Sequence, residues 1–496
     1  LDYVVAIFGC AYAGVVSVPA YPPRFNKPML RLRALVADAE ARFALTTPAV
    51  LRRIERQLPT EPELARLTWL TPGDLAGDAA PPIPAEADPG ALALLQYTSG
   101  STSTPKGVML THAHVARNAA LLAERLRLTP ADHLVSWLPP YHDMGLVAGI
   151  VVPILAGLPA THMTPGAFLQ RPARWLKAVS RHRATITGGP DFAWDQCARR
   201  VGDADLAGLE LSTLRIAFSG AEGVRPATLD RFLARFAPAG FRAEAFCPCY
   251  GLAEATLGVS FHVPGTPGRR ERVDARALGE GRAEPSREGA PAVELVASGT
   301  PLTGFEVRAV DPATRAVLPD GAVGELWVRG PSLAAGYFRN EALTGALFGA
   351  APAGRDGRWL RTGDLGYLRE GAVFVSGRVK ELVVLRGANH HPEDLELAAL
   401  AAHRRLRPGA AIAFADEGEA EERLVIALEI DDPRDLPAEE IVQAVRGAVG
   451  DAHELVVHDV VLLPPGALPR TSSGKLQRGR CRELWRAGAL APVASP

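Results

Sequence analysis

Residues 97–107 read Tyr-Thr-Ser-Gly-Ser-Thr-Ser-Thr-Pro-Lys-Gly. A short apolar run at 92–95 leads into them, and a helix-like stretch follows at 112–128. A strand feeding a loop of hydroxyls and small residues, closed by one lysine, presents O–H and backbone N–H donors to phosphate oxygens, with Lys106 as a point charge. The Gly-Lys-Ser/Thr ending of a Walker A loop is missing. The loop alone leaves a nucleotide site and a Ser/Thr surface turn both open, so the chain around it has to decide.

Outward from the loop, helices alternate with short Val/Ile/Leu strands, the pattern of a layered α/β fold. Val115, Ala119, Leu122 and Leu126 share one helical face behind Thr111, which stands at the N-cap position. Helices are also expected over 168–182 and 226–236, and strands at 133–137, 185–187, 214–219 and 325–329. Segments 74–90 and 264–299, rich in Ala, Pro, Gly and charge, read as linkers or exposed excursions. Past 378–380 the character changes to two short strands (411–415, 424–430), a helix (438–449) and a Gly/Ser-rich loop. The division predicted is a large α/β part, 1–378, and a small α+β part, 379–496.

Composition narrows the function. With 496 residues, 47% of them hydrophobic, the chain can bury a large core and is not disordered as a whole. A net charge of −1 offers no global attraction to nucleic acid or to an anionic membrane. Five scattered cysteines are too few for a disulfide scaffold, and Cys247-Pro248-Cys249 lacks the second pair a structural zinc needs. Reduced core thiols in the cytoplasm fit better. The run 3–23 has no charged residue but contains Pro19, Pro22 and Pro23. It reads as a buried helix (3–13) running into a buried strand (15–18), not as a membrane span or a signal peptide. Because the chain opens directly in this core-like segment, an N-terminal part of the domain is expected to be missing.

Four further motifs follow the loop: Tyr250-Gly251-Leu252-Ala253-Glu254-Ala255-Thr256, Arg361-Thr362-Gly363-Asp364-Leu365-Gly366-Tyr367, Gly377-Arg378-Val379-Lys380-Glu381, and Pro469-Arg470-Thr471-Ser472-Ser473-Gly474-Lys475. In this order they resemble the adenylate-forming superfamily across nearly the whole chain. Within it, Ser136-Trp137-Leu138-Pro139-Pro140-Tyr141-His142-Asp143-Met144, the Val18–Pro23 segment and Arg386-Gly387-Ala388-Asn389-His390-His391-Pro392 are most similar to fatty acyl-AMP ligases. Two departures are visible, at Ser103 and at the ends of Ser219-Gly220-Ala221-Glu222-Gly223; neither removes a charged group.

The resemblance implies a multi-layer catalytic domain with a mobile lid, and a reaction joining a fatty carboxylate to the α-phosphate of ATP with release of pyrophosphate. It implies that Thr98, Ser99, Gly100, Ser101, Thr102 and Lys106 cradle phosphates, and that Gly220, Ala221, Tyr250 and Gly251 flank the adenine. Asp364 and Arg378 would hold the ribose, and Glu254 with Thr98 would hold Mg2+. Lys475 would be the principal catalytic cation, His142 would stand where nucleotide and acyl tunnel meet, and Lys380 would be the hinge. Without the family each has a plainer reading: Glu254, Arg378 and Lys475 as solvated surface charges, Tyr250 and His142 as core residues, 362–366 as a turn. Segment 264–299 matches the place of an insertion associated with hindering the rotation that coenzyme A requires. The acyl group would then pass to the phosphopantetheine arm of an acyl carrier protein. An acyl-CoA synthetase, or an inactive homologue serving as a docking subunit, remains the alternative.

Overall fold

The computed structural model describes residues 1–23, 29–75, 88–97, 106–385, 388–417, 422–434, 436–453, 455–471 and 474–493. The strands Leu92–Tyr97 and Gly107–Thr111 pair antiparallel with Tyr97 opposite Gly107, so the quoted loop closes a hairpin. Thr111 caps the helix His112–Leu126: its hydroxyl accepts from the His114 N–H at 3.2 Å, while His114 Nδ1 accepts from the Thr111 N–H at 3.3 Å. The helix packs Leu121, Leu122 and Leu126 into the main core.

That core surrounds a seven-stranded sheet in the spatial order Thr300–Pro301, Gly258–Phe261, Phe246–Gly251, Ile216–Ser219, Ile186–Gly189, Leu134–Ser136, Ala160–His162. The five strands from Phe246–Gly251 to Ala160–His162 run parallel to their neighbours, and the two remaining ones are antiparallel. Trp137, Phe168, Trp175, Trp194, Phe232 and Phe246 form a chain of stacked and edge-on rings beneath it. A four-stranded antiparallel sheet (Glu306–Val310, Gly324–Arg329, Leu360–Arg369, Ala372–Arg378) follows. Beyond it a three-stranded sheet (Leu406–Glu417, Glu422–Ile430, Val457–Leu463) with the helices Pro392–Ala401 and Ala438–His453 has hydrophobic clusters of its own. The cysteines are free thiols. Among the described residues no helix is long and apolar enough to cross a membrane.

Four expectations need correction. The stretch 168–182 is two helices, Pro165–Gln170 and Ala173–Arg181, because Pro172 keeps Arg171 extended at φ −147°. The N-terminal helix Asp2–Tyr12 is not buried: Tyr3, Val4, Ile7 and Phe8 pack on the core, while Val5 and Tyr12 are 62% and 60% exposed. After it only Ser17 joins a strand, bridging Leu94, so 15–18 is not a strand. Segment 264–299 is an ordered unit. Arg270–Asp274 and Ala292–Val296 pair antiparallel around the short helix Ala275–Gly279, and Val273, Leu278 and Ala297 form a small core with Tyr367 and Phe374.

Candidate functional site

Parallel strands put their carboxyl ends at one edge, and ligands of open α/β sheets bind there. Trp137–Asp143 leaves the end of Leu134–Ser136, Pro190 and Phe192 follow Ile186–Gly189, and Gly220-Ala221-Glu222 follows Ile216–Ser219. Glu254 follows Phe246–Gly251. These ends open on a cavity of about 1550 Å³. The four-stranded sheet lends Asp364 and Arg378 to its wall, and the C-terminal segment lends Lys475.

Asp364 and Arg378 face each other across paired strands. The Arg378 Nε–H donates to Asp364 Oδ1 at 2.8 Å, and the Tyr250 hydroxyl donates to Oδ2 at 2.7 Å. Asp364 is 5% exposed, and these two bonds satisfy its buried oxygens. The aspartate raises the Arg378 guanidinium above its ordinary value, and burial with Asp364 pushes the Tyr250 phenol up. Each carboxylate oxygen keeps a further lone pair for a ligand hydroxyl.

Lys475 sits in a tight turn closed by the Thr471 N–H to the Lys475 carbonyl at 2.7 Å and by the Lys475 N–H to Thr471 Oγ1 at 3.0 Å. Burial lowers its ammonium, opposed by Glu222 and Asp143. Glu222 accepts from the Phe192 N–H at 2.7 Å, and burial, then Asp191, raises its carboxyl. His142 Nδ1 lies 2.5 Å from Asp143 Oδ1. Burial alone would raise Asp143, but His142 and Lys475 hold it below its ordinary value.

Glu254 occupies the turn after Phe246–Gly251, with Oε1 accepting from the Tyr337 hydroxyl at 2.8 Å. Burial raises its carboxyl. A desolvated carboxylate in the cavity lining suits a hard cation, and Mg2+ typically takes one or two carboxylates plus phosphates. Among the described residues there is no cluster of three or more such ligands.

Of the residues singled out in the sequence, Lys106, His142, Ala221, Tyr250, Gly251, Glu254, Asp364, Arg378, Lys380 and Lys475 line this one cavity. Gly220 stands behind the wall, where a Cβ would meet Cys249 Sγ at 2.7 Å and the Cys249 carbonyl oxygen at 2.8 Å. Thr98, Ser99, Gly100, Ser101 and Thr102 lie outside the described residues. The sequence reading gave no role to Asp143, Glu222 or Tyr337. The first two were visible inside quoted motifs, whereas Tyr337 carried no local signal. An apolar part of the same lining, the apolar lobe, is made by Leu122 and Leu126 and by Met144, Ala148 and Val152 of the π-helical stretch Met144–Val151 and its continuation. π-Helical turns of this kind concentrate at functional sites.

Comparison with known proteins identifies the family. The family model described as AMP-binding enzyme matches residues 1–338, and that described as Disco-interacting protein 2-like, AMP domain, matches 380–495. The medium-chain-fatty-acid–[acyl-carrier-protein] ligase JamA of Moorena producens (strain JHB) is 40% identical over 505 residues, covering 99% of this chain and 85% of that protein. A structure from work on fatty acyl-adenylate ligases of E. coli and L. pneumophila superposes with a TM-score of 0.88 at 33% identity, covering 98% of this chain and 86% of that one. The L. pneumophila fatty acyl-adenylate ligase in complex with acyl adenylate and pyrophosphate gives 0.74 at 34% identity, covering 100% of this chain and 86% of that one. One cavity gathering the ordered motifs, and a likeness running the length of the sequence, place the chain in the AMP-binding enzyme family, among the fatty acyl-AMP ligases of the adenylate-forming superfamily.

Proposed function

We propose that this enzyme activates a medium- or long-chain fatty acid with ATP, giving acyl-AMP and pyrophosphate, and hands the acyl group to the phosphopantetheine arm of an acyl carrier protein. The observation that carries the reading is the single cavity in which Lys475, Asp364, Arg378 and Glu254 meet an apolar lobe. A carboxylate oxygen attacks the α-phosphorus, and the bond to the pyrophosphate oxygen breaks. Both reactants are anions, so the site must hold them in line and offset charge. Lys475 reaches between the α-phosphate and the substrate carboxylate, and its ammonium stabilises the charge that develops there. Asp364 accepts from the ribose hydroxyls, Arg378 fixes Asp364, and Tyr250 flanks the base. His142, oriented by Asp143, guards the passage to the acyl lobe. Glu254, with Thr98, would hold Mg2+, which would supply further charge neutralisation.

In this reading residues 1–378 form the catalytic domain and 379–496 a lid turning at Lys380. The helix Ala275–Gly279 of the 264–299 unit lies against the strand Ala388–His390, directly beyond the hinge. A brace there opposes rotation of the lid, which favours a carrier protein over coenzyme A as acceptor. The test is ATP-dependent acyl-AMP formation over a series of straight-chain acids, followed by transfer to a holo carrier protein or to coenzyme A. Efficient acyl-CoA synthesis would overturn the acceptor assignment, and absence of acyl-AMP with every acid would overturn the whole reading.

A further inference from the structure

The turn that carries Glu254 is clamped from outside the motif. Thr256 has φ 74° and ψ −56°, a γ-turn conformation with positive φ that a non-glycine residue keeps only when its surroundings over-determine it. One clamp is Asn118, fully buried in the middle of the helix His112–Leu126. Its Nδ2 lies 3.2 Å from the Ala255 carbonyl, 2.9 Å from the Gly258 carbonyl and 2.9 Å from Ser332 Oγ, and its Oδ1 accepts from the Gly258 N–H at 3.1 Å. The other clamp is the segment 332–337. Thr256 Oγ1 donates to the Ser332 carbonyl at 2.8 Å, the Ala334 N–H donates to the Glu254 carbonyl at 2.8 Å, and the Tyr337 hydroxyl donates to Glu254 Oε1 at 2.8 Å.

Every polar atom of Asn118 is therefore committed to the backbone on either side of Thr256, or to the serine that shares the Ala255 carbonyl. A buried amide can afford such a position only when it is satisfied, and its removal would leave the Gly258 N–H without that acceptor. We propose that Asn118 is a positioning residue for adenylation: through the 255–258 turn it sets how far the Glu254 carboxylate enters the nucleotide cavity. The inference rests on Glu254 acting in that reaction. Without the clamp Thr256 relaxes toward negative φ, the peptide before it rotates, and Glu254 is drawn off its line.

The test compares Asn118→Leu, which removes all of these bonds at similar volume, with Ser332→Ala, the milder variant should the first not fold. Pyrophosphate release is measured in the wild-type and Glu254→Gln backgrounds, alongside the urea midpoint and the Kd of a non-hydrolysable acyl-sulfamoyl adenosine. Asn118→Leu is expected to lower kcat roughly 10- to 100-fold, the scale of an ångström-sized misplacement. KM for ATP and the analogue Kd should stay within about threefold, since ground-state binding is not what is lost. Ser332→Ala should act in the same direction and less. In the Glu254→Gln background neither substitution should slow the residual reaction further. Equal losses in both backgrounds, or a lower urea midpoint with unchanged kcat, would overturn the positioning role alone. A Glu254→Gln enzyme as fast as wild type would overturn the reading of Glu254 and the positioning role with it.

Discussion

Lys475→Ala isolates the cation from the fold that presents it. The turn around Lys475 is closed by main-chain groups and the Thr471 hydroxyl, and Gly474 packs beside Phe192, 3.3 Å from where its own Cβ would be. None of this depends on the lysine side chain, so alanine should keep the turn docked. The stability change should be small, within about 1 kcal/mol, because removing a buried ammonium relieves desolvation while losing its attraction to Glu222 and Asp143. The rate change should be large. A group that meets charge developing only in the transition state is worth about 10²–10³ in kcat, or about 2.7–4 kcal/mol. The KM for the fatty acid should also rise, because the incoming carboxylate would face Glu222 and Asp143 without the cation between them. Pyrophosphate release at saturating ATP, with a thermal melt as the folding control, measures all three quantities. A variant that melts like wild type and retains kcat within about threefold would refute the assignment, since no transition-state charge would then be resting on Lys475.

The remaining predictions concern stability and the acyl lobe. Burial, with Glu393 adding, raises the Asp394 carboxyl to about 7. Its folded value lies above its unfolded one, so the stability it permits is complete below about pH 4, falls up to about pH 7 and is level beyond, on the order of 4 kcal/mol in all. Asp394→Asn should match wild type near pH 4 and exceed it at pH 8 in urea midpoint; parallel curves across that range would count against the burial argument. At Gly251 a Cβ would fall 1.8 Å from the Leu257 carbonyl oxygen. Gly251→Ala should therefore cost about 3 kcal/mol, seen as a lowered melting temperature, and an unchanged melt would show that the hairpin yields. Ala148→Trp should shorten the apolar lobe, cutting kcat/KM for the longest acids about 10- to 200-fold while sparing short ones; a uniform loss across the acid series would place the lobe elsewhere.

What could be read from the sequence was whatever a few neighbouring residues determine. Thr111 announced its helix because the apolar face begins one turn after the cap, and the helix Pro226–Phe236 has the bounds expected of it. The break at Pro172 also has a local cause, since a proline restricts the residue before it, but the apolar periodicity across 168–182 hid it. The unit 264–299 escaped for a different reason. Val273, Leu278 and Ala297 are too sparse to make a period and become a core only when the chain brings them to Tyr367 and Phe374. Tyr337 and Asn118 were invisible for the same reason: their partners lie 83, 137 and 214 residues away. Hydropathy also misjudged the N-terminal helix, because an uncharged run does not say which of its faces will be covered.

The near-zero net charge, which argued against nucleic acid, has a chemical counterpart inside the cavity. Lys475 faces Glu222 and Asp143, and Arg378 is tied to Asp364, so two of the cavity's cations stand among carboxylates before any substrate arrives. Such a site has little long-range field with which to draw in ATP. It can discriminate in favour of charge that appears at one point, because a cation shared between two carboxylates is free to transfer its attraction to a stronger local anion. Lys475 comes from beyond residue 380 and its carboxylate partners from before residue 225, so that exchange draws on two distant segments of the chain that meet in one cavity.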